Sequence, residues 1–182
     1  MPAKRDVRAH YFYCAAIWIL LELLLDPCLP LRSEVVWLLY PKNEALQSWH
    51  YDALYTQYDG ERLALWMYVR RGWLYTRLGY ECYAVDNAYG DLIGLFTFQK
   101  LPRHTVNIGL GLRPELTGLG YGLAFVQAGL AFGKARYAPA SFQLTVAPFN
   151  ARAIKVYMRA GFTLVKVKQT PQGARWEMRR DA

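Results

Sequence analysis

Cysteine and histidine are scarce in this chain. Three of its 182 residues are cysteine and three are histidine. Cys14, Cys28 and Cys82 stand far apart, as do His10, His50 and His104. No pair has the short spacing of a zinc site, and an odd cysteine count does not build a disulfide framework, so the sequence points to a reducing cytoplasm and to no metal. Acidic residues are also few, 14 against 22 Lys and Arg, which leaves a net charge of +8. Such an excess fits a polyanionic partner. The cations are nevertheless dispersed, with Lys4, Arg5 and Arg8 near the start, Arg70 and Arg71 in the middle, and Arg179 and Arg180 near the end. No basic stripe interleaved with aromatics appears, so nucleic acid is not the expected partner.

Repeats, linkers and low-complexity tracts are missing as well. The longest apolar stretch, Tyr11 to Leu25, is interrupted by Glu22. It falls short of the roughly 18 apolar residues of a spanning helix, and no small-x-small cleavage pattern follows it. Three readings stay open for it: an amphipathic helix packed on the domain or a partner, a translation start placed too far upstream, or a membrane signal. Pro27 and Pro30 end the segment in each case. Residues 1–33 are therefore read as an extension and 34–182 as one domain, with no membrane partner expected. The hydrophobic fraction of 54% and the aromatic fraction of 15% supply a full core for a chain that buries about 70% of its unfolded surface.

What is present is concentrated between Leu110 and Phe162. An alternating apolar run ends at Pro114, Gly118, Gly120 and Gly122 follow at every second position, and an apolar-periodic stretch begins at once. That pattern predicts strand, tight loop and helix. Glycines let a ligand approach the backbone, and the first helical turn presents N–H groups without intrahelical partners, so a diphosphate is the natural guest. The spacing fits neither the dinucleotide fingerprint nor the P-loop. About thirty residues on, a strand ends near Pro148, Asn150 is placed to cap a helix, Ala153, Ile154, Tyr157 and Ala160 recur at helical spacing, and Gly161 stops it.

Together the two stretches resemble the GNAT superfamily of acetyl-CoA-dependent N-acetyltransferases. The first motif, Val-x-Pro-x-x-Gln/Arg-Gly-x-Gly-x-Gly/Ala, is matched by Leu112, Pro114, Thr117, Gly118, Gly120 and Gly122. The second, Asn-x-x-Ala-x-x-x-Tyr-x-x-x-Gly-Phe, is matched by Asn150, Ala153, Tyr157, Gly161 and Phe162. Thr117 departs from the usual Gln or Arg, which shortens or removes a side-chain contact to the pyrophosphate. Ser48 to Tyr58 is similar to the Trp-x-Tyr segment of a bacterial subgroup, where the first helices border the acceptor site. The competing reading is that these aromatics simply pack in the core.

The resemblance implies an α/β (α+β) GNAT fold: a mixed, mostly antiparallel sheet of six to seven strands, splayed at its centre and flanked by about four helices. It implies acetyl-CoA as cosubstrate, with the coenzyme met by Leu110, Leu112, Thr117, Gly118, Leu119, Gly120, Tyr121, Gly122, Asn150, Ala153 and Tyr157. Tyr157 would be the general acid for the coenzyme sulfur. The base is open among Glu115, His104 and Asp91, with Glu115 preferred. Asn107 stands where the subgroup commonly has an acid, and an amide cannot take a proton. The acceptor would be a small-molecule amine or a protein N-terminus, and a homodimer is compatible with the composition. The alternative is a GNAT relative that binds acyl-CoA without catalysis.

Periodicity and turn chemistry place the remaining elements. Strands are expected at Glu34–Tyr40, Tyr80–Asp86, Asp91–Phe98, Thr105–Leu112, Ser141–Ala147, Thr163–Lys168 and Arg175–Arg179. Helices are expected around Trp49, over Glu61–Arg71, from Leu119 to about Arg136, and after Asn150.

Overall fold

The computed structural model describes residues 35–37, 43–59, 79–87, 89–171 and 173–182. The apolar stretch Tyr11–Leu25 and the expected helix Glu61–Arg71 lie outside the described residues. One seven-stranded sheet organises the rest, in the order β1-β2-β3-β4-β5-β7-β6. The strands are β1 Val35–Trp37, β2 Tyr80–Asp86, β3 Leu92–Leu101, β4 Thr105–Leu112, β5 Ser141–Val146, β6 Thr163–Thr170 and β7 Gly173–Asp181. All neighbours are antiparallel except β4 and β5. Three α-helices are described: α1 Asn43–Gln47, α2 Gly122–Tyr137 and α3 Ala151–Arg159.

The β4–β5 pairing decides the shape of the sheet. It covers only Thr105–Ser141, Val106–Phe142 and Asn107–Gln143. From Ile108 and Leu144 onward the strands are not paired, and the sheet opens into a V with its closed end at Thr105. Each arm is held on its far side, β4 by eight residue pairs to β3 and β5 by six to β7.

The closed end of the V is tightly packed. Phe142 and Phe98 are each 1% exposed, and α2 lies directly on them. A Cβ built at Gly133 would stand 2.8 Å from Phe98 and 2.9 Å from Phe142, and one at Gly129 would stand 2.7 Å from Phe96. Any larger residue there would lift the helix off the rings. The Phe96 and Phe125 rings stack at 4.6 Å, extending this aromatic layer toward the helix start.

One expectation is corrected. Trp49 does not sit on a helix: α1 ends at Gln47, and Trp49 follows it, its N–H donating to Leu46 O, as a buried residue beside Leu46, Ala84, Leu92 and Leu95. The segment Ala53–Tyr58 is a 3-10 helix. The last two strands do form a hairpin, but β7 inserts between β5 and β6, leaving β6 at the sheet edge.

Candidate active site

The glycine loop leaves the open end of β4. Arg113 N–H donates to Ile93 O, so in the alternating antiparallel ladder the odd-numbered residues of β4 face β3. The peptide groups of Leu110 and Leu112 therefore point into the gap. Leu112 O already accepts a hydrogen bond of 2.8 Å from the Tyr51 hydroxyl.

Past Leu112 the chain makes a short 3-10 turn, Pro114–Leu116, and then the loop. Gly118 and Gly120 have φ of 80° and 92°, and a Cβ built at either would meet nothing within 4 Å. Side chains rarely adopt this left-handed backbone, and the space over it is open. Gly122 sits in a tighter place, where a Cβ would lie 3.1 Å from Val156 on α3. That contact docks the start of α2 against the helix that carries Tyr157. Tyr121 provides no side-chain cap for α2, and the first intrahelical bond is Phe125 N–H to Tyr121 O. The amides of Gly122, Leu123 and Ala124 thus have no partner among the described residues and form an open first turn at the positive end of a sixteen-residue helix. The Thr117 hydroxyl donates to Pro114 O at 2.7 Å, so its proton closes the local turn. Leu119 is exposed.

On the opposite arm, Asn150 caps α3, its Oδ1 accepting from Ala153 N–H at 3.1 Å. Such a cap contributes about 1 kcal/mol. The Asn150 Nδ2 has no partner among the described residues. Tyr157 is two turns along, with its ring edge-on to Phe162 at 6.0 Å. Its hydroxyl has no hydrogen-bond partner among the described residues. Burial pushes its pKa well above the ordinary tyrosine value, and the neighbouring Tyr58 adds to the rise. It is therefore a protonated donor throughout the neutral range.

The three candidate bases fall in different places. Glu115 is exposed and paired with Arg113 Nε at 2.9 Å. Asp91 lies in the β2–β3 turn and accepts from Asn87 Nδ2 at 3.0 Å. It lines a cavity of about 260 Å³ shared with Ser48, Trp49 and Arg113. His104 occupies the β3–β4 turn with φ of 51°, next to the closed end of the V and away from the glycine loop. Asn107 stands at the last β4–β5 pair, where the strands part.

Sequence reasoning missed a strap across the opening. Residues 50–59 are tied to the β4 arm by the Tyr51–Leu112 bond. They are tied to the other arm by Tyr55 and Tyr58, whose rings lie 6.0 and 6.4 Å from Phe149. Arg152 stacks over Tyr55 at 4.1 Å and sits 3.7 Å from Asp52. Asp59 folds the strap by accepting from Tyr51 N–H at 2.8 Å, with His50 Nδ1 3.6 Å from its other oxygen. The buried surroundings of the Tyr51 hydroxyl, with Asp59 and Glu115 nearby, hold its pKa far above normal, so the latch proton stays in place. The aromatic spacing Tyr51, Tyr55 and Tyr58 was the available signal, since core residues alone would not leave Tyr55 and Tyr58 half-exposed.

Among the described residues no group of His, Cys, Asp and Glu is placed to hold a metal ion, and no helix is long and apolar enough to cross a membrane. Burial pushes the Cys82 thiol up to about 11, so at neutral pH it is a poor nucleophile for a covalent acyl-enzyme.

This arrangement can be compared with known proteins. The family described as acetyltransferase (GNAT) domain matches residues 32–163. No curated protein sequence matches the chain. Among solved structures, a chimera of the spermidine N-acetyltransferase SpeG from Vibrio cholerae and hSSAT superposes with a TM-score of 0.64 at 14% identity, covering 82% of this chain and 95% of that one. The spermidine N-acetyltransferase from Vibrio cholerae in complex with CoA and spermine superposes with a TM-score of 0.59 at 14% identity, over 82% and 95%.

Proposed function

Starting from the fact that the chain belongs to the GNAT acetyltransferase family, we propose that it transfers the acetyl group of acetyl-CoA to a primary amine of a small molecule or a protein N-terminus. The observation that carries this reading is the opening of the sheet, with the free first turn of α2 on one arm and the unpartnered Tyr157 hydroxyl on the other. The residues present fit a coenzyme whose phosphates need amide donors and whose arm needs a strand edge. The uncapped amides at the start of α2, reached over the open Gly118 and Gly120, hold the linked phosphates. The peptide groups of Leu110 and Leu112 extend the sheet edge toward the arm, and Asn150 Nδ2 is a donor from the facing side. When bound, acetyl-CoA supplies an activated acyl group on a thiol leaving group.

Within that frame each side chain has a task. The two arms hold donor and acceptor in one geometry, which replaces a bimolecular encounter. Tyr157 Oη gives its proton to the departing sulfur. The strap shields the reacting centre from water, and Tyr51 fixes the β4 edge through Leu112 O. No described carboxylate stands free in the gap, so proton removal from the attacking amine falls to water at the mouth. Glu115 is a candidate only if its pair with Arg113 opens. A small-molecule amine and a free protein N-terminus both supply the primary amine this reading needs.

The test is to follow free thiol with acetyl-CoA and an amine panel. Turnover is expected, and it should depend on Tyr157. Tight coenzyme binding without transfer to any amine would favour the alternative of a non-catalytic acyl-CoA-binding module, and the locally engaged Thr117 hydroxyl is the feature consistent with it.

A second measurement addresses the loop. Gly120→Val either keeps the left-handed backbone at a cost of about 1–3 kcal/mol or relaxes and turns the amides away. Where the free loop relaxes, regaining the cradle on binding should lower affinity for CoA by about 5–150-fold, read by calorimetry; where the backbone holds, the added side chain occupies the open space over the amides and lowers affinity as well. An unchanged affinity would remove the loop as the phosphate cradle.

A further inference from the structure

We propose that the acceptor side of the gap selects a primary amine carrying one positive charge and a flat apolar body, an arylalkylamine, over a polyamine. This rests on the acetyl-transfer reading and names the substrate class of the same site.

The first ground is the ring surface beside Tyr157. Phe149 immediately precedes the Asn150 cap and is 47% exposed. Tyr58, on the strap that crosses the opening, packs on Phe149 and lies near enough to Tyr157 to add to the rise in that residue's pKa. The Tyr58 and Phe149 rings are tilted by 40° at 6.4 Å, and the Tyr55 and Phe149 rings by 53° at 6.0 Å. Tilted rings at these separations form an angled wall on which a further flat group can stack or abut edge-on. Tyr55 has one face covered by the Arg152 guanidinium, so the open surface belongs to Tyr58 and Phe149.

The second ground is charge. Each carboxylate on the described rim is already engaged: Asp52 with Arg152, Glu115 with Arg113, and Asp59 with the Tyr51 amide and His50. A second ammonium group brought near Asp52 or Glu115 therefore competes with the guanidinium already paired there. Arg152 also fixes a positive charge at the ring wall. A substrate with a single amine loses its charge at the reacting nitrogen before attack and asks for no second counter-ion. Ring stacking then adds affinity that an alkylamine of the same charge does not obtain.

The experiment compares kcat/KM by thiol release for 2-phenylethylamine, n-butylamine and spermidine. The expected order puts 2-phenylethylamine about tenfold above n-butylamine, with spermidine lowest. Phe149→Ala, at an exposed position, should bring the ratio of the two monoamines close to one, through KM more than kcat. Arg152→Ala, which releases Asp52, should raise spermidine relative to 2-phenylethylamine. Circular dichroism confirms that both variants are folded. Spermidine used as well as 2-phenylethylamine, or a monoamine ratio unmoved by Phe149→Ala, overturns the inference while leaving acetyl transfer intact. If no amine turns over, acetyl transfer is what fails. Calorimetry of 2-phenylethylamine and spermidine on the CoA-bound protein then decides the selectivity separately, and tighter spermidine binding overturns it.

Discussion

Replacing Tyr157 by phenylalanine should lower kcat by about 10²–10⁴-fold, while KM for acetyl-CoA and the melting temperature stay nearly unchanged. The split between rate and stability follows from the hydroxyl's surroundings. It makes no hydrogen bond to a described residue, so its removal leaves no orphaned partner, and the ring keeps its edge contact with Phe162. On the proposed mechanism, only the proton for the departing sulfur is lost. Steady-state kinetics and thermal unfolding on the same preparation check this. A loss confined to KM would make Tyr157 a binding residue.

The pH profile offers an independent sign. Burial raises the folded-state pKa of Tyr157, so the acid stays protonated as pH rises past about 10, where a free tyrosine would ionise. Activity should therefore show no alkaline loss from this group in that range. The same shift works against stability at high pH. An unfolded tyrosine gives up its proton above about 10 and the buried one does not, so the stabilising difference is fully present below that pH and is lost as pH climbs toward the folded-state value.

Phe142→Ala carries the largest expected cost in stability, about 3–5 kcal/mol, or a fall in melting temperature of roughly 6–20 °C for a domain of this size. Phe142 is 1% exposed, pairs with Val106 in the short parallel ladder, and lies under Gly133 of α2. Truncating it empties the space that holds the closed end of the V against the helix. At a temperature where the variant is still folded, KM for acetyl-CoA should rise, because the two arms lose their common anchor. Thermal unfolding by circular dichroism reads the first effect and steady-state kinetics the second. A melting temperature within about 2 °C of the parent would mean that β4 and β5 are held together elsewhere.

The strap gives these separate effects a common context. Tyr51 grips one arm and the Tyr55–Tyr58–Phe149 cluster grips the other, so this ten-residue segment spans the opening proposed for the donor. Leu112 O serves the latch in the resting protein and faces the gap at the same time. A carbonyl has two lone pairs, so it can keep the Tyr51 bond and still accept from a second donor.

Sequence by itself determined what depends on neighbours in the chain. The positive φ at Gly118 and Gly120, the Asn150 cap on Ala153, the stop at Gly161 with φ of 87° and most strand limits follow from local backbone chemistry, which reaches only a few residues. Tertiary structure alone decided the rest. That β4 and β5 share just three pairs, that β7 inserts beside β5, that Gly129 and Gly133 admit aromatic rings, and that Tyr51 reaches a carbonyl 61 residues away are outcomes of packing between distant segments. Periodicity marks which face of an element is apolar but carries no address for its partner, so the V, its anchor and its strap appear only once the chain has closed on itself.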